Sequence, residues 1–268
     1  VVNTNIGSLN AQRSLAESSR ELSTAMERLS SGKKINSAAD DAAGFAIAER
    51  MTAQVRGLNM ATKNANDGLA VLAPIENATN DVTDMLQRIR ELAVQAANDT
   101  NGTQDRTYLQ TEVDSLVAEI NRVSTDTVYN DSVVLDGNLS GSLQVGTASG
   151  QTIDFAITSI DTTTLGVDAL DLSDATNAAT ALTAIDSAIE TVAGNRAGYG
   201  ALSNRLEYTV SNLMNVAEFT TAARSRIEDA DFAAESARLA KAQVLQQTGT
   251  AMLAQANASS QLAIQLIR

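Results

Sequence analysis

The sequence predicts a mainly α fold: an elongated antiparallel helical bundle or coiled coil that carries one small β-hairpin region. Three observations point there. Apolar residues recur at seven-residue spacing over long stretches, a single Pro interrupts 268 residues, and only 3% of the chain is aromatic, so small aliphatic side chains do the packing. Ala, Leu, Gln, Glu and Arg crowd both ends and favour uninterrupted helix.

The first arm sets Leu15, Leu22 and Leu29 seven apart, with Ala25 and Met26 beside them and Arg13, Arg20, Glu21, Glu27 and Arg28 on other faces. This is one amphipathic helix. Its expected stop is Ser30-Ser31-Gly32, because Gly32 accepts the left-handed backbone that closes a helix. A polar connector follows to about Asp41, with Asn36 and Ser37 as the expected caps. Over residues 42–98 one heptad position reads Gly44, Met51, Leu58, Ala65, Leu72, Thr79, Leu86 and Ala93. Its partner position reads Ile47, Gln54, Ala61, Gly68, Ile75, Val82, Ile89 and Ala96, which predicts a single very long helix. Pro74 lies inside it, lacks a backbone donor and crowds the Ala70 carbonyl, so a kink or local break is expected there. Residues 98–102 read as a turn. Behind a Thr103 cap, Leu109, Val113, Leu116, Ile120 and Val123 restate the helical period, giving an antiparallel helix pair.

After Asp126 the period shortens to that of a strand. Leu143 and Val145, then Ile153, Phe155 and Ile157, alternate with polar residues on either side of a turn at 146–150, a β-hairpin. Residues 158–180 are rich in Thr, Asp and Ala without a period and read as loop. Helix returns at Ala181, where Leu182, Ile185, Ile189, Val192, Tyr199, Leu206, Val210, Leu213 and Ala217 form a second long seam, interrupted by Arg196 and Ser203. The last arm begins at Asp231, and the 26 residues between Lys241 and Arg268 hold no charged side chain. Its stripe of Leu245, Gly249, Met252, Ala256, Ser259, Ala263 and Leu266 is apolar or small, yet Gln246, Gln247, Gln255, Asn257, Gln261 and Gln265 punctuate the other faces. So many amides would go unpaired in hydrocarbon, which leaves a helix enclosed by other helices.

Composition removes most enzyme classes. With no His and no Cys the chain cannot form a Cys/His zinc site, a His-based triad, a thiol nucleophile or a disulfide, and no cofactor or metal is expected. Net charge is −13, and residues 123–195 hold ten Asp or Glu and no Lys or Arg, so a phosphate backbone would be repelled and nucleic acid is excluded as a partner. No apolar run is long enough to cross a bilayer, and the N-terminus lacks a basic region followed by an apolar core, so no membrane and no cleaved secretory signal are expected. Glu228, Asp229 and Asp231, like Asp40 and Asp41, read as caps and dipole partners of helix starts rather than metal ligands.

Several runs resemble one family. They are Val2-Asn3-Thr4-Asn5, Arg28-Leu29-Ser30-Ser31-Gly32, Ile35-Asn36-Ser37-Ala38, Asp40-Asp41-Ala42-Ala43-Gly44 and Asn64-Ala65-Asn66-Asp67-Gly68 in the first part. Further on come the run from Leu86 to Gln95, the run from Ser225 to Phe232, Leu253-Ala254-Gln255-Ala256-Asn257 and Leu266-Ile267-Arg268. Over nearly its whole length the sequence resembles bacterial flagellin, the flagellar filament subunit, in a minimal form with little or no outer variable domain. The resemblance implies that the N- and C-termini pair as an inner filament core. Residues 1–41 are then the N-terminal arm with its connector, 42–180 the first part of an outer helical domain with the hairpin around 140–158, 181–230 its second part, and 231–268 the C-terminal arm.

The same resemblance implies a structural subunit, not an enzyme, that polymerises into the filament for swimming motility, outside the cell and by way of the flagellar type III channel. The alternative within the family is the hook–filament junction adaptor. A flagellin with a metalloprotease insertion is excluded by the absence of His. Leu15, Leu22, Leu29, Leu245, Met252, Ala256, Leu262 and Leu266 are the expected filament-core interface, and Met51, Leu58, Leu72, Leu86, Ile89, Leu206 and Leu213 the outer seam. Implied partners are other copies of the chain, an export chaperone at the C-terminal arm, and the junction and cap proteins of the filament. A vertebrate Toll-like receptor is a further implied partner, met by Arg88, Leu92 and Glu112, with Leu116 standing where a basic residue is usual. One arm alone cannot bury its stripe, so the arms are expected to be unordered in the isolated subunit and to fold as it assembles.

Overall fold

A computed structural model describes residues 4–265, with side chains described through 258. The elements are α1 (Ile6–Ser31), α2 (Ala42–Ala96), α3 (Thr103–Asp126), β1 (Val128–Tyr129), β2 (Ser132–Val133), β3 (Ser140–Gln144), β4 (Thr152–Ala156), α4 (Thr162–Leu165), α5 (Ala175–Glu228) and α6 (Phe232–Gln265). Among the described residues, those up to Val55 and those from Glu218 onward form one compact unit, and Arg56–Ala217 form a second.

In the first unit, the Asn5 side chain caps α1 by accepting from the Ser8 N–H at 3.1 Å. Gly32 closes the helix in the left-handed conformation, φ 73°, its N–H donating to the Arg28 carbonyl. The connector then pairs with the link between α5 and α6: Lys34 N–H donates to the Glu228 carbonyl at 2.6 Å and Ala230 N–H to the Gly32 carbonyl at 2.9 Å. The expected caps Asn36 and Ser37 act as donors instead. Their backbone N–H groups point at the Asp40 carboxylate, at 3.1 and 2.9 Å, while Asp41 caps α2 by accepting from Ala43 and Gly44. The acids prevail because a carboxylate takes several N–H bonds at once and is attracted to a helix N-terminus.

The second unit is built on three helices. The α2 seam is buried from Leu58 to Ala96; from Ala65 onward it meets Val113 and Ile120 of α3 and Ile185, Val192, Tyr199 and Leu206 of α5 in one continuous core, while Leu58 and Ala61 belong to a smaller cluster. Antiparallel pairing follows from contacts at both ends: Arg106 donates to the Ala96 carbonyl across the α2–α3 turn, while Leu58 and Ala61 pack with Leu213 of α5. Pro74 does not break α2. The helix runs through it unbroken, because the buried neighbours Leu72, Ile75 and Thr79 hold the turn that the missing hydrogen bond would have closed. The cap of α3 is Gly102 rather than Thr103; Gly102 N–H donates back to the Asp105 carboxylate at 3.0 Å.

Between α3 and α5 the expected hairpin is present as antiparallel β3 and β4, with Leu143 opposite Ile153. A second, unexpected hairpin joins β1 to β2 through Asn130 and Asp131, both at positive φ (49° and 63°), as a two-residue turn of this kind requires. The segment read as loop contributes to the core at several positions. Ile160, Leu165, Val167 and Leu172 are buried, α4 forms on an Asp161 cap, and α5 begins at Ala175, before the expected Ala181.

Candidate assembly surfaces

α1 and α6 form an antiparallel pair whose register is fixed at three levels. Asn5 Nδ2 donates to the Ala256 carbonyl at 2.8 Å, Leu15 packs on Gly249, and Arg28 meets Glu235 at 3.1 Å. On α1 the face toward the pair runs Ser8, Ala11, Leu15, Ser18, Leu22, Ala25 and Leu29, an unbroken heptad of buried or half-buried side chains. Leu15, Leu22 and Leu29 therefore all lie on it. On α6 the matching face is Glu235, Leu239, Ala242, Gln246, Gly249, Leu253 and Ala256.

The sequence-read stripe of α6 is consequently divided. Gly249 and Ala256 face α1, whereas Leu245 is 40% exposed and Met252 64% exposed, with Val244 beside them also exposed. Leu262 and Ser259 have no described side chain, and Leu266 lies outside the described residues. The division arises because α6 is apolar or amide-bearing all round beyond Lys241, so one stripe serves α1 and another remains uncovered. At the opposite end the pair is charged: a groove of about 510 Å³ carries Arg20, Arg238 and Lys241 alongside Glu17 and Glu21. Glu235 itself is buried, bonded by Arg28 at 3.1 Å and by Arg238 at 2.8 Å. Sequence periodicity did not reveal this ion pair, because Arg28 and Glu235 are 207 positions apart. Both arms are helical, with caps at Asn5, Gly32 and Asp231 that start and stop them locally.

In the second unit Leu58, Leu72, Leu86, Ile89, Leu206 and Leu213 are buried, and Met51, in the first, is half-buried. Arg88 is exposed and bonded to Glu91 and Glu112, each at 2.9 Å, and its guanidinium is held above its ordinary pKa first by Glu91 and then by Glu112. Leu92 is 2% exposed and belongs to the core beneath that pair. Gln110 is a residue the sequence did not single out. Its amide donates to the Leu170 carbonyl at 2.9 Å and accepts from the Leu172 N–H at 2.7 Å, fastening the acidic segment to α3 as a strand edge would. Among the described residues no cluster of acids suits a metal, and no helix is long and apolar enough to cross a membrane.

The sequence pattern of the bacterial flagellin N-terminal helical region matches residues 2–140, and that of the C-terminal helical region residues 182–267. The chain belongs to the bacterial flagellin family. It is similar to a flagellin of Halalkalibacterium halodurans, 42% identical with each chain covered in full, and to a flagellar filament 33 kDa core protein of Treponema phagedenis, 39% identical with the same coverage. The crystal structure of Bacillus cereus flagellin superposes with a TM-score of 0.51 at 32% identity, covering 56% of this chain and 88% of that one. This flagellin is thus a structural subunit that polymerises with its own kind into the extracellular filament of the bacterial flagellum. Its β3–β4 hairpin and the acidic segment fill residues 141–181 between the two family regions, whereas β1–β2 lies inside the first, so little chain is left over for an outer part.

Proposed function

We propose that the uncovered face of α6 is the principal filament-core interface of this flagellin, with Leu245 and Met252 at its centre and the α1–α6 face of Leu15, Leu22, Leu29 and Ala256 behind it. The observation that carries this reading is that Val244, Leu245 and Met252 stand exposed on a helix without charge past Lys241, whose other face is already taken by α1. Full burial of such a side chain contributes about 1.5–3 kcal/mol, so many neighbours contacting the same face add up quickly. Contacts that repeat head to tail without closing generate a helical filament.

In this reading residues 1–41 and 231–268 are the inner arms, and 42–180 with 181–230 the outer domain. Within the α1–α6 pair the buried members are small or charged (Ser8, Ser18, Ala25, Glu235 and Ala242), so neighbours supply most of the arms' stability. Before assembly an export chaperone covers the α6 face, the subunit leaves through the flagellar type III channel, and junction and cap proteins meet the filament's ends. The chain works without a catalytic cycle. Arg88 and Glu112 form the exposed part of a Toll-like receptor contact, with Leu92 supporting them from below.

Negative-stain electron microscopy of the purified chain, after addition of a precipitating salt or filament seeds, tests the central claim beside a truncation lacking residues 231–268. Long helical filaments from the intact chain alone are expected. Short rings would favour the junction adaptor, and filaments from the truncation would remove α6 from the interface.

A further inference from the structure

We propose that Met252 is an oxidative modification site whose sulfoxide bars the subunit from its filament. The inference rests on the filament reading above. With no Cys, His or Trp, the chain presents its six Met as the side chains most open to two-electron oxidants such as hydrogen peroxide. They are not equivalent. Met51 and Met85 are half-buried, whereas Met26, Met60, Met214 and Met252 are exposed, Met252 the most so at 64%.

Surroundings separate Met252 from the other three. Met26 is followed by Glu27 and Arg28, Met60 precedes Lys63 by one turn, and Met214 lines a shallow groove with Glu207, so each sits where water and charge are close by. Met252 shares its face with Leu245 and lies between the uncharged Thr248 and Gln255 one turn to either side, and no charged residue follows Lys241 before the chain's last residue. Its side chain does not serve the α1–α6 register, which runs through Gly249, Leu253 and Ala256. Oxidation there leaves the subunit's own packing intact and alters only the surface it offers to neighbours.

In the reaction a thioether lone pair attacks one peroxide oxygen and the O–O bond breaks. The sulfur gains one oxygen and is oxidised by two electrons, and the peroxide is reduced to one water. The product is polar and carries a strong acceptor, and burying it in an apolar interface without a donor is costly. A partition of at least about tenfold against oxidised subunits follows from that cost.

The test uses the unaltered chain. Soluble subunits are treated with limiting hydrogen peroxide, assembly is induced, filaments are pelleted, and sulfoxide at each Met is quantified by peptide mass spectrometry in pellet and supernatant. Sulfoxide at Met252 is expected to form faster than at Met51 and Met85 and to be depleted about tenfold or more in the pellet. Sulfoxides at Met26, Met60 and Met214 are expected in both fractions. Equal partition of Met252 sulfoxide, or its slower formation than at Met51 and Met85, overturns the proposal while filaments from untreated chain leave the polymer reading standing. Absence of filaments from untreated chain overturns both. As a second readout, M252L is compared with and without peroxide, each against its own unoxidised form; a rise in critical concentration as large as that of the unaltered chain also overturns the assignment.

Discussion

Glu235 carries more consequence than any other acid in the described chain. Its carboxylate is buried between Arg28 and Arg238, and Arg28 Nε is itself buried without a hydrogen-bond partner. Removing the acid strands Arg28 in that setting, so Glu235→Ala should destabilise the α1–α6 pair by about 3 kcal/mol, and Glu235→Gln, which keeps an acceptor, by less. Hydrogen exchange of the α1 amides near Arg28 reads the difference. Asp161 acts through a different term. Its carboxyl is held below the ordinary 3.8, first by the Thr164 side chain and then by the Thr164 backbone, as it caps α4. A carboxyl with a depressed folded-state pKa contributes stability that is present above its unfolded value and lost as pH falls through the folded value. Acidification below pH 3.8 should therefore loosen α4 and the Leu165 and Val167 packing first, and Asp161→Ala should remove that part of the acid dependence. Carboxyl-carbon titration by NMR, with methyl signals of Leu165 and Val167, checks both statements.

Among elements, α2 shows how a seam overrides a local breaker. A Pro in a helix interior costs about 3 kcal/mol relative to Ala, and Pro74 bears that cost inside a helix whose neighbouring seam residues Leu72, Ile75 and Thr79 are buried. Pro74→Ala should raise the midpoint of denaturant unfolding, with a gain of about 2 kcal/mol once the freer unfolded chain is counted. The same helix admits the β3–β4 hairpin at Gly68, where any Cβ would overlap the Leu143 side chain. The periodicity of α1, α2, α3 and α5 was readable because each buries one stripe. α6 was only half readable, since past Lys241 apolar and small residues are mixed with uncharged amides and hydroxyls on its faces and leave no single stripe to prefer, and the choice of Gly249 and Ala256 over Leu245 and Met252 was made by α1.

For the whole molecule, the division at Val55/Arg56 and Ala217/Glu218 has an energetic counterpart. The continuous core from Ala65 to Leu206 lies wholly inside the second unit, whereas the α1–α6 pair buries few large side chains. Hydrogen exchange on unassembled subunits should show residues 56–217 exchanging together and slowly, with α1 and α6 exchanging much faster. An isolated chain of residues 56–217 should keep cooperative unfolding, and its failure to do so would place part of that core's support in the arms.

By itself the sequence determined the helix-rich class, the long seams, the first hairpin, the Gly32 stop and the absence of His and Cys chemistry. Each of these is a local or periodic property, written in spacing or in residue type. Tertiary structure alone decided what depends on residues far apart in the chain. It turned the aperiodic Ile160 to Leu172 segment into core through Gln110, since buried irregular chain has no period to announce it. It carried α2 through Pro74, joined Arg28 to Glu235, and left Leu245 and Met252 uncovered, because packing energy is set by which surfaces meet and a one-dimensional pattern records only that a surface is apolar.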